Sequence, residues 1–253
     1  MLSKELTITE NLIVSSVIIK MRYDIMSDTI LVDALKTAFQ NAVISLRKNH
    51  NENFYYYAYI FDEGIAYISA WSYEAYEKSV VENNISDEDK CWWKWDYSDS
   101  PYAVYGYDEY FTDVSRILKE RDSNLTDDDI ENEWESRISA MEKALKQLDE
   151  EGFFSKGEDR HKIIINVEAA PPDCREHKRA VYLNPPSPLL DEYLEFCETE
   201  EDDDSDNIDN DEYDPNYAAN LIANIMMKNT SDENDPEKKA SLIEEIMKKK
   251  SIQ

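Results

Sequence analysis

The stretch FYYYAYIF, residues 54–61, decides the fold, because each of its residues is aromatic or aliphatic. Successive side chains of a strand point to opposite faces, so such a run predicts a strand that is covered on both faces. The sequence DEG at residues 62–64 supplies turn chemistry, and residues 65–71 can return as an antiparallel neighbour. The sequence therefore predicts a hairpin at the centre of a sheet.

Predicted helices and further strands surround this hairpin. Apolar residues at helical spacing follow Asp28 and Thr126, which predicts one long helix over residues 28–50 and another that ends at Gly152. Shorter apolar patterns predict the remaining elements, which are helices at residues 73–82, 108–118 and 189–196 and strands at residues 162–168 and 179–183. The predicted fold class is α+β, with a mainly antiparallel sheet of about four to six strands flanked by helices.

Composition divides the chain of 253 residues into four segments. Residues 1–26 form an N-terminal extension, and residues 27–197 contain the patterns of a globular α+β domain. Residues 198–216 hold eleven acidic and no basic residues, which predicts a solvated linker. Residues 217–253 contain two short amphipathic helices, which we expect to dock on the main domain, with assembly through a partner as the alternative.

The chain is strongly acidic, with 56 Asp and Glu residues against 27 Lys and Arg residues and a formal net charge of -29. The acidic run accounts for eleven of these acids, so the rest of the chain still has 45 acidic residues against 27 basic ones. Such a field repels nucleic acid and anionic membranes and attracts cationic partners. The charge therefore favours a basic protein as the partner, and the alternative is that acidity only keeps the protein soluble.

The sequence contains no convincing targeting signal, which predicts that the protein is cytoplasmic. The apolar stretch at residues 12–19 is too short to span a membrane and lacks the cleavage site of a signal peptide. Met1 and Met26 are both candidate start residues. The three cysteines do not have the spacing of a disulfide scaffold.

A search for catalytic chemistry finds no strong motif. The four glycines do not form a phosphate-binding loop, and Cys174 with His177 supplies only half of a zinc site, so we predict no cofactor and no metal. If the protein is an enzyme, its best candidate cluster is Glu168, Asp173, Cys174 and His177.

Aromatic residues are concentrated in one part of the chain. Twelve of the 17 tyrosines and four of the five tryptophans lie within residues 54–110. Tyr56, Tyr67 and Trp71 on the hairpin are expected in the core, whereas rings mixed with acids suit the binding of Arg and Lys side chains. The predicted partner-binding residues are Trp92, Trp93, Trp95, Asp96, Tyr97, Asp99, Tyr105, Tyr107, Asp108 and Glu109.

Several of these patterns together resemble a known bacterial family. They are the helix residues Ala34, Ala38 and Phe39, the strand pair at 54–71, the aromatic block at 92–110, the sequence LDEEGFF at 148–154, Arg160 and the strand residues 163–167. Over about residues 27–186, the chain resembles the uncharacterised family called domain of unknown function 4303. The resemblance implies a compact bacterial α+β domain of a kind associated with immunity proteins, which neutralise toxins of competing bacteria. It implies no catalytic residues.

These observations lead to one functional expectation and two alternatives. We expect a non-enzymatic immunity or inhibitor protein that binds a basic toxin domain such as a nuclease, and that binds neither nucleic acid nor membranes. The first alternative is an enzyme with an unrecognised site. The second is a scaffolding protein that assembles through its C-terminal helices.

Overall fold

The computed structural model of the chain describes residues 28–62, 64–123, 125, 129–171, 175–204 and 238. The side chains of residues 131 and 198–204 are outside this description. The predicted N-terminal extension at 1–26 and, apart from Lys238, the predicted C-terminal helices also lie outside the described residues.

A three-stranded sheet forms the centre of the domain. Strand β1 (Phe54–Asp62) pairs antiparallel with β2 (Ile65–Ser72) and parallel with β3 (Ile164–Ala170), which gives the order β2-β1-β3. Every residue of the three strands is buried. The hairpin and the two-sided covering of β1 are therefore confirmed.

Eight helices surround the sheet in the described part of the chain. They are α1 (28–49), α2 (Tyr73–Glu82), α3 (Lys90–Trp95), α4 (Tyr107–Tyr110), α5 (Thr112–Asp122), α6 (Ile130–Glu150), α7 (Glu176–Leu183) and α8 (Pro188–Asp204). A 3-10 helix (Gly157–Lys162) precedes β3. Within the described residues, none of the helices combines the length and the apolar character needed to cross a bilayer. The α+β class is thus confirmed.

The expected sheet of four to six mainly antiparallel strands is wrong, because the described sheet has three strands and is mixed. Residues 179–183, predicted as a strand, belong to helix α7. Arg179, Ala180 and Leu183 are buried while Val181 is exposed, which is the burial pattern of one helix face. Strand β3 can be parallel to β1 because the helices between β2 and β3 provide the long crossover that parallel pairing needs.

Helices pack on both faces of the sheet through aromatic contacts. On one face, Phe39 of α1 lies 5.0 Å from Tyr59, measured between ring centroids. On the other face, Trp95 of α3 and Tyr193 of α8 lie 5.8 Å and 5.9 Å from Tyr56. The sheet therefore forms the middle of three layers, with α1 in one outer layer and α3 and α8 in the other.

Helix α8 is longer than the sequence predicts. The predicted helix at 189–196 is present, and its backbone continues to Asp204. The first seven residues of the segment predicted as an acidic linker are therefore helical.

Candidate partner-binding surface

The ten predicted partner-binding residues differ widely in exposure. Trp92, Asp108 and Glu109 are exposed, whereas Trp95 is only 1% exposed and belongs to the core. The prediction that Trp95 contacts a partner is therefore corrected. The other six are half-buried, namely Trp93, Asp96, Tyr97, Asp99, Tyr105 and Tyr107.

The half-buried residues lie in a segment that covers the outer edge of β2. Trp71 of β2 donates its indole N–H to the backbone carbonyl of Asp96 at 2.7 Å, and Ser69 Oγ donates to the carbonyl of Tyr97 at 2.7 Å. Further along, the Val104 amide donates to the carbonyl of Ile68. An uncovered edge strand can pair with another chain, so this segment protects the sheet. Part of the aromatic block is therefore structural.

Two of these half-buried residues are held by polar contacts within the domain. Asp96 accepts hydrogen bonds from the backbone and the hydroxyl group of Ser98, both at 2.7 Å. Burial raises the pKa of the Asp96 carboxyl, and the charge of Asp99 raises it further, while the Ser98 hydrogen bonds oppose these effects. Tyr105 accepts a 2.8 Å hydrogen bond from Asn49 of α1. Both side chains are thus positioned by their own neighbours.

The exposed indole lies on a surface shared by α3 and α8. We define the α3–α8 surface as Tyr73, residues 87–94 and the outward residues Asp191, Glu192 and Glu195 of α8. Helix α3 contacts both α2 and α8. Lys94 Nζ lies 2.5 Å from Glu192 Oε1, which fastens α3 to α8. The side chains of Trp92 and Tyr73 are 44% and 40% exposed.

Carboxylates dominate the charge of the α3–α8 surface. Residues 87–94 and 191–195 contain six acidic and two basic residues. Both lysines are in ion pairs, Lys90 with Asp87 and Lys94 with Glu192, each at 2.5 Å. Burial raises the pKa of the Tyr73 hydroxyl, and the nearby charge of Glu192 raises it further. The surface thus combines exposed aromatic rings with an excess of negative charge.

Comparison with known proteins identifies the family of the chain. The family described as domain of unknown function (DUF4303) matches residues 35–185, which is more than half of the chain. The chain belongs to the DUF4303 family. No curated protein and no solved structure matches it. The resemblance seen in the sequence is thereby confirmed, and the α8 part of the α3–α8 surface lies beyond the matched residues.

The alternative catalytic cluster of this DUF4303 chain is only partly described, because residues 173 and 174 lie outside the described ranges. Glu168 of β3 is 6% exposed, and its Oε1 atom accepts hydrogen bonds of 2.6 Å from both Tyr56 and Tyr193. Asn166 donates to the same oxygen at 3.2 Å. His177 lies on helix α7. Glu168 therefore serves as the acceptor of a buried hydrogen-bond cluster.

Burial controls the ionisation of this cluster. It raises the pKa of both the Tyr56 and the Tyr193 hydroxyl groups well above the ordinary value, and the nearby charge of Glu168 raises them further. Both hydroxyl groups therefore remain protonated donors. The sequence does contain a signal for the cluster, because Asn166 and Glu168 lie two residues apart in a strand and hence on one face.

No metal centre is formed by the DUF4303 chain within the residues described. In those ranges, no group of three or more His, Cys, Asp or Glu side chains is arranged to hold an ion.

Sequence reasoning missed a groove at one end of the sheet. It has a volume of about 640 Å³ and opens at the amino-terminal ends of β1 and β3. Its lining residues come from α1, the turn after it, β1, the first residue of α2 (Tyr73) and the region of residues 154–163. Because these segments are far apart in the chain, no local motif marks the groove, and only the scarcity of histidine draws attention to His50.

Proposed function

We propose that this DUF4303 protein is a non-enzymatic inhibitor or immunity protein of the bacterial cytoplasm that binds a basic protein and blocks it. A toxin domain such as a nuclease is the class of partner we expect. The observation that carries the proposal is the α3–α8 surface, where Trp92 and Tyr73 are exposed, six acidic residues accompany two basic ones, and both lysines are already in ion pairs.

This surface suits arginine and lysine side chains for two physical reasons. A guanidinium or ammonium group is attracted to the face of an indole or phenol ring, and it forms strong charge-assisted hydrogen bonds with carboxylates. The chain uses the first interaction internally, since Lys94 Nζ lies 5.0 Å from the centroid of the Trp95 ring. Trp92 offers a similar ring to a partner.

The charge of the whole molecule supports the same proposal. A nuclease must attract phosphate groups, so its active-site surface is positive. A molecule with a net charge of -29 is drawn toward such a surface, which speeds association and makes it sensitive to salt. An acidic inhibitor is therefore attracted by the same positive field of the nuclease that attracts its nucleic-acid substrate.

The first experiment tests the role of the exposed indole. The full chain is mixed with the product of a neighbouring toxin gene, and the affinity is measured by calorimetry at two salt concentrations. We expect Trp92→Ala to weaken binding by about 30-fold, the size of an interface hot spot of about 2 kcal/mol. Tyr182→Ala on α7 is the matched control, because this ring is 54% exposed but lies on a different helix.

The second experiment tests the location of the charges. The double substitution Asp191→Asn with Glu195→Gln removes two exposed charges from the α3–α8 surface, and Asp108→Asn with Glu109→Gln removes two from α4. We expect the first pair to slow association and to reduce its salt dependence more than the second pair does. Equal effects of the two pairs would assign binding to net charge alone, and affinity that does not change with salt would remove the electrostatic basis.

A further inference from the structure

Two carboxylates of the α3–α8 surface are available to bind a cation. Asp191 and Glu195 are exposed and lie four residues apart in α8, so they share one face of the helix. Within the described part of the chain, neither of them belongs to an ion pair, whereas Glu192 is paired with Lys94. A further cation can therefore bind here without displacing an existing ion pair.

The carboxylates of α8 lie near the helix that carries the exposed indole. Burial raises the pKa of the Cys91 thiol, and the charges of Glu192 and Glu195 raise it further, while the charge of Lys94 opposes them. Cys91 directly precedes Trp92 in α3. The negative charges of α8 therefore act on the part of α3 that contains Trp92.

One segment of the same chain has a complementary charge. Residues 239–250, KASLIEEIMKKK, contain four lysines and two glutamates. Residues 205–238, which precede them, contain nine acidic and two basic residues. Beyond α8, positive charge is thus concentrated in residues 239–250, which we call the lysine segment.

The lysine segment also has an apolar side. Four apolar residues recur in it at helical spacing, namely Leu242, Ile243, Ile246 and Met247. Lys249 and Lys250 follow Ile246 by three and four residues, so a helix would place them on the same face, one turn further on. Such a face matches an exposed ring beside carboxylates, because apolar side chains pack on the ring while ammonium groups bind the carboxylates.

The chain is long enough to bring this segment back to the α3–α8 surface. Helix α8 ends at Asp204, and Glu195 lies nine residues earlier, about 14 Å away along the helix axis. Residues 205–238 can span up to about 110 Å when extended, which is far more than the return requires. Because the segment is tethered, its effective concentration at the surface of its own chain exceeds that of a separate molecule in dilute solution.

We propose that the lysine segment docks on the α3–α8 surface of its own chain, with Lys249 and Lys250 at Asp191 and Glu195 and with its apolar residues against Trp92. The docked segment covers the surface to which a basic partner would bind, so the two compete. The competition rests on the proposed function, whereas the docking concerns this chain alone.

The docking is tested by zero-length cross-linking with a carbodiimide, which joins an amine to a carboxylate only where the two are in contact. An equal mixture of 15N-labelled and unlabelled full chains is treated at low and at high salt, and the coupled peptides are identified by mass spectrometry. The Lys94–Glu192 pair, at 2.5 Å, is the internal positive control. We expect residues 248–250 to couple to Asp191 or Glu195 of the same chain, with a yield that falls severalfold at high salt.

Three results would overturn the docking. Equal coupling to Asp108 and Glu109, the exposed carboxylates of α4, would show attraction without a defined surface. Coupling between labelled and unlabelled chains would assign the contact to a second copy. No coupling of residues 248–250 in a sample where Lys94 and Glu192 are joined would refute the contact itself. These results need no toxin, so they stand whether or not the proposed inhibition is correct.

The competition is tested with a variant that removes the charge of the lysine segment, Lys248→Gln with Lys249→Gln and Lys250→Gln. We expect this variant to bind the toxin domain about fivefold more tightly, because the docked state no longer reduces the binding-competent fraction. The matched control changes the net charge equally at exposed lysines of α1, α6 and α7, by Lys48→Gln, Lys143→Gln and Lys178→Gln. Equal gains in the two variants would assign the effect to net charge and refute the competition. A wild type that binds no basic domain at all would instead refute the proposed function and leave the cross-linking result intact.

Discussion

Tyrosine hydroxyl groups join the helices to the sheet in this protein. Tyr59 of β1 donates to the carbonyl of Leu35 in α1 at 2.8 Å, and Tyr55 donates to the carbonyl of Lys94 in α3 at 2.6 Å. Buried hydroxyl groups need partners, because an unpaired one costs free energy of folding. Replacing these tyrosines by phenylalanine would keep the packing but remove the directional links between layers.

The clearest test of such a link is Tyr193→Phe. The Tyr193 hydroxyl donates to Glu168 and accepts from Asn166 Nδ2 at 2.8 Å, so its removal takes one hydrogen bond from each of two buried polar side chains. We expect the free energy of unfolding to fall by about 1–3 kcal/mol, measured by urea denaturation. Tyr182→Phe, at an exposed ring of α7, should change it by less than about 0.5 kcal/mol. Equal losses in the two variants would contradict this role of the cluster.

A second residue-scale prediction concerns the ion pairs between α5 and α6. Glu133 Oε1 lies 2.6 Å from both Arg121 Nε and Arg137 Nε. Burial alone would raise the pKa of Glu133, but the hydrogen bonds and charges of the two arginines lower it overall. A lowered folded pKa adds stability above the ordinary glutamate value of about 4.3, and this stability is lost as the pH falls through the folded pKa.

Glu133→Gln should therefore lower the free energy of unfolding at neutral pH, by about 2 kcal/mol, because it weakens the charge-assisted hydrogen bonds from Arg121 and from the buried Arg137, while Arg137 keeps its ion pair with Asp122. The deficit should shrink as the pH falls below about 4.3. Urea denaturation at several pH values measures both effects. Glu150→Gln replaces an exposed glutamate of the same helix, and we expect a change of less than about 0.5 kcal/mol. A deficit that is constant with pH would rule out the ionic explanation.

Whole helices and strands show which patterns in the sequence are sufficient. The hairpin and α1 were predictable, because a continuous apolar run between turn residues indicates a buried strand and apolar residues at helical spacing indicate a helix. Residues 179–183 were not, because valine and tyrosine favour strands locally. Their helix is stabilised by a distant contact, the 2.6 Å hydrogen bond from Arg179 Nε to the carbonyl of Val167 in β3. The predicted number of strands was too high for the same reason, because residues 179–183 had been counted as a strand of the sheet.

The start of helix α4 gives a prediction at this scale. Gly106 has a φ of +67°, and a Cβ atom placed there would lie 2.5 Å from the ring of Tyr110. Gly157 has a φ of +59°, and a Cβ atom there would meet nothing within 4 Å. Gly157→Ala should therefore cost about 1 kcal/mol from backbone strain alone, and Gly106→Ala about 1–3 kcal/mol more. Thermal or urea unfolding would show this difference, and equal costs would mean that the Tyr110 ring moves aside freely.

Across the whole molecule, the sequence indicated the character of the candidate surface but not its members. Acidity and clustered aromatic rings are properties of composition, so they could be read directly. Which tryptophan of residues 92–95 faces outward depends on how α3 lies against the sheet, and Trp95 proved to be in the core. The carboxylates of α8 join the surface through the Lys94–Glu192 pair, whose members are 98 residues apart in the chain.

The net charge leads to a prediction about the stability of the whole domain. With a net charge of -29, repulsion between carboxylates opposes the compact state. Salt shortens the range of this repulsion, from about 10 Å at 0.1 M to about 3 Å at 1 M. We therefore expect the urea midpoint at neutral pH to rise as sodium chloride is added. The control is the same pair of measurements at the isoelectric point, pI ≈ 4.3, where the rise should disappear because the net charge is close to zero. A midpoint that falls with salt at neutral pH would mean that surface ion pairs such as Arg116–Glu120 outweigh the repulsion.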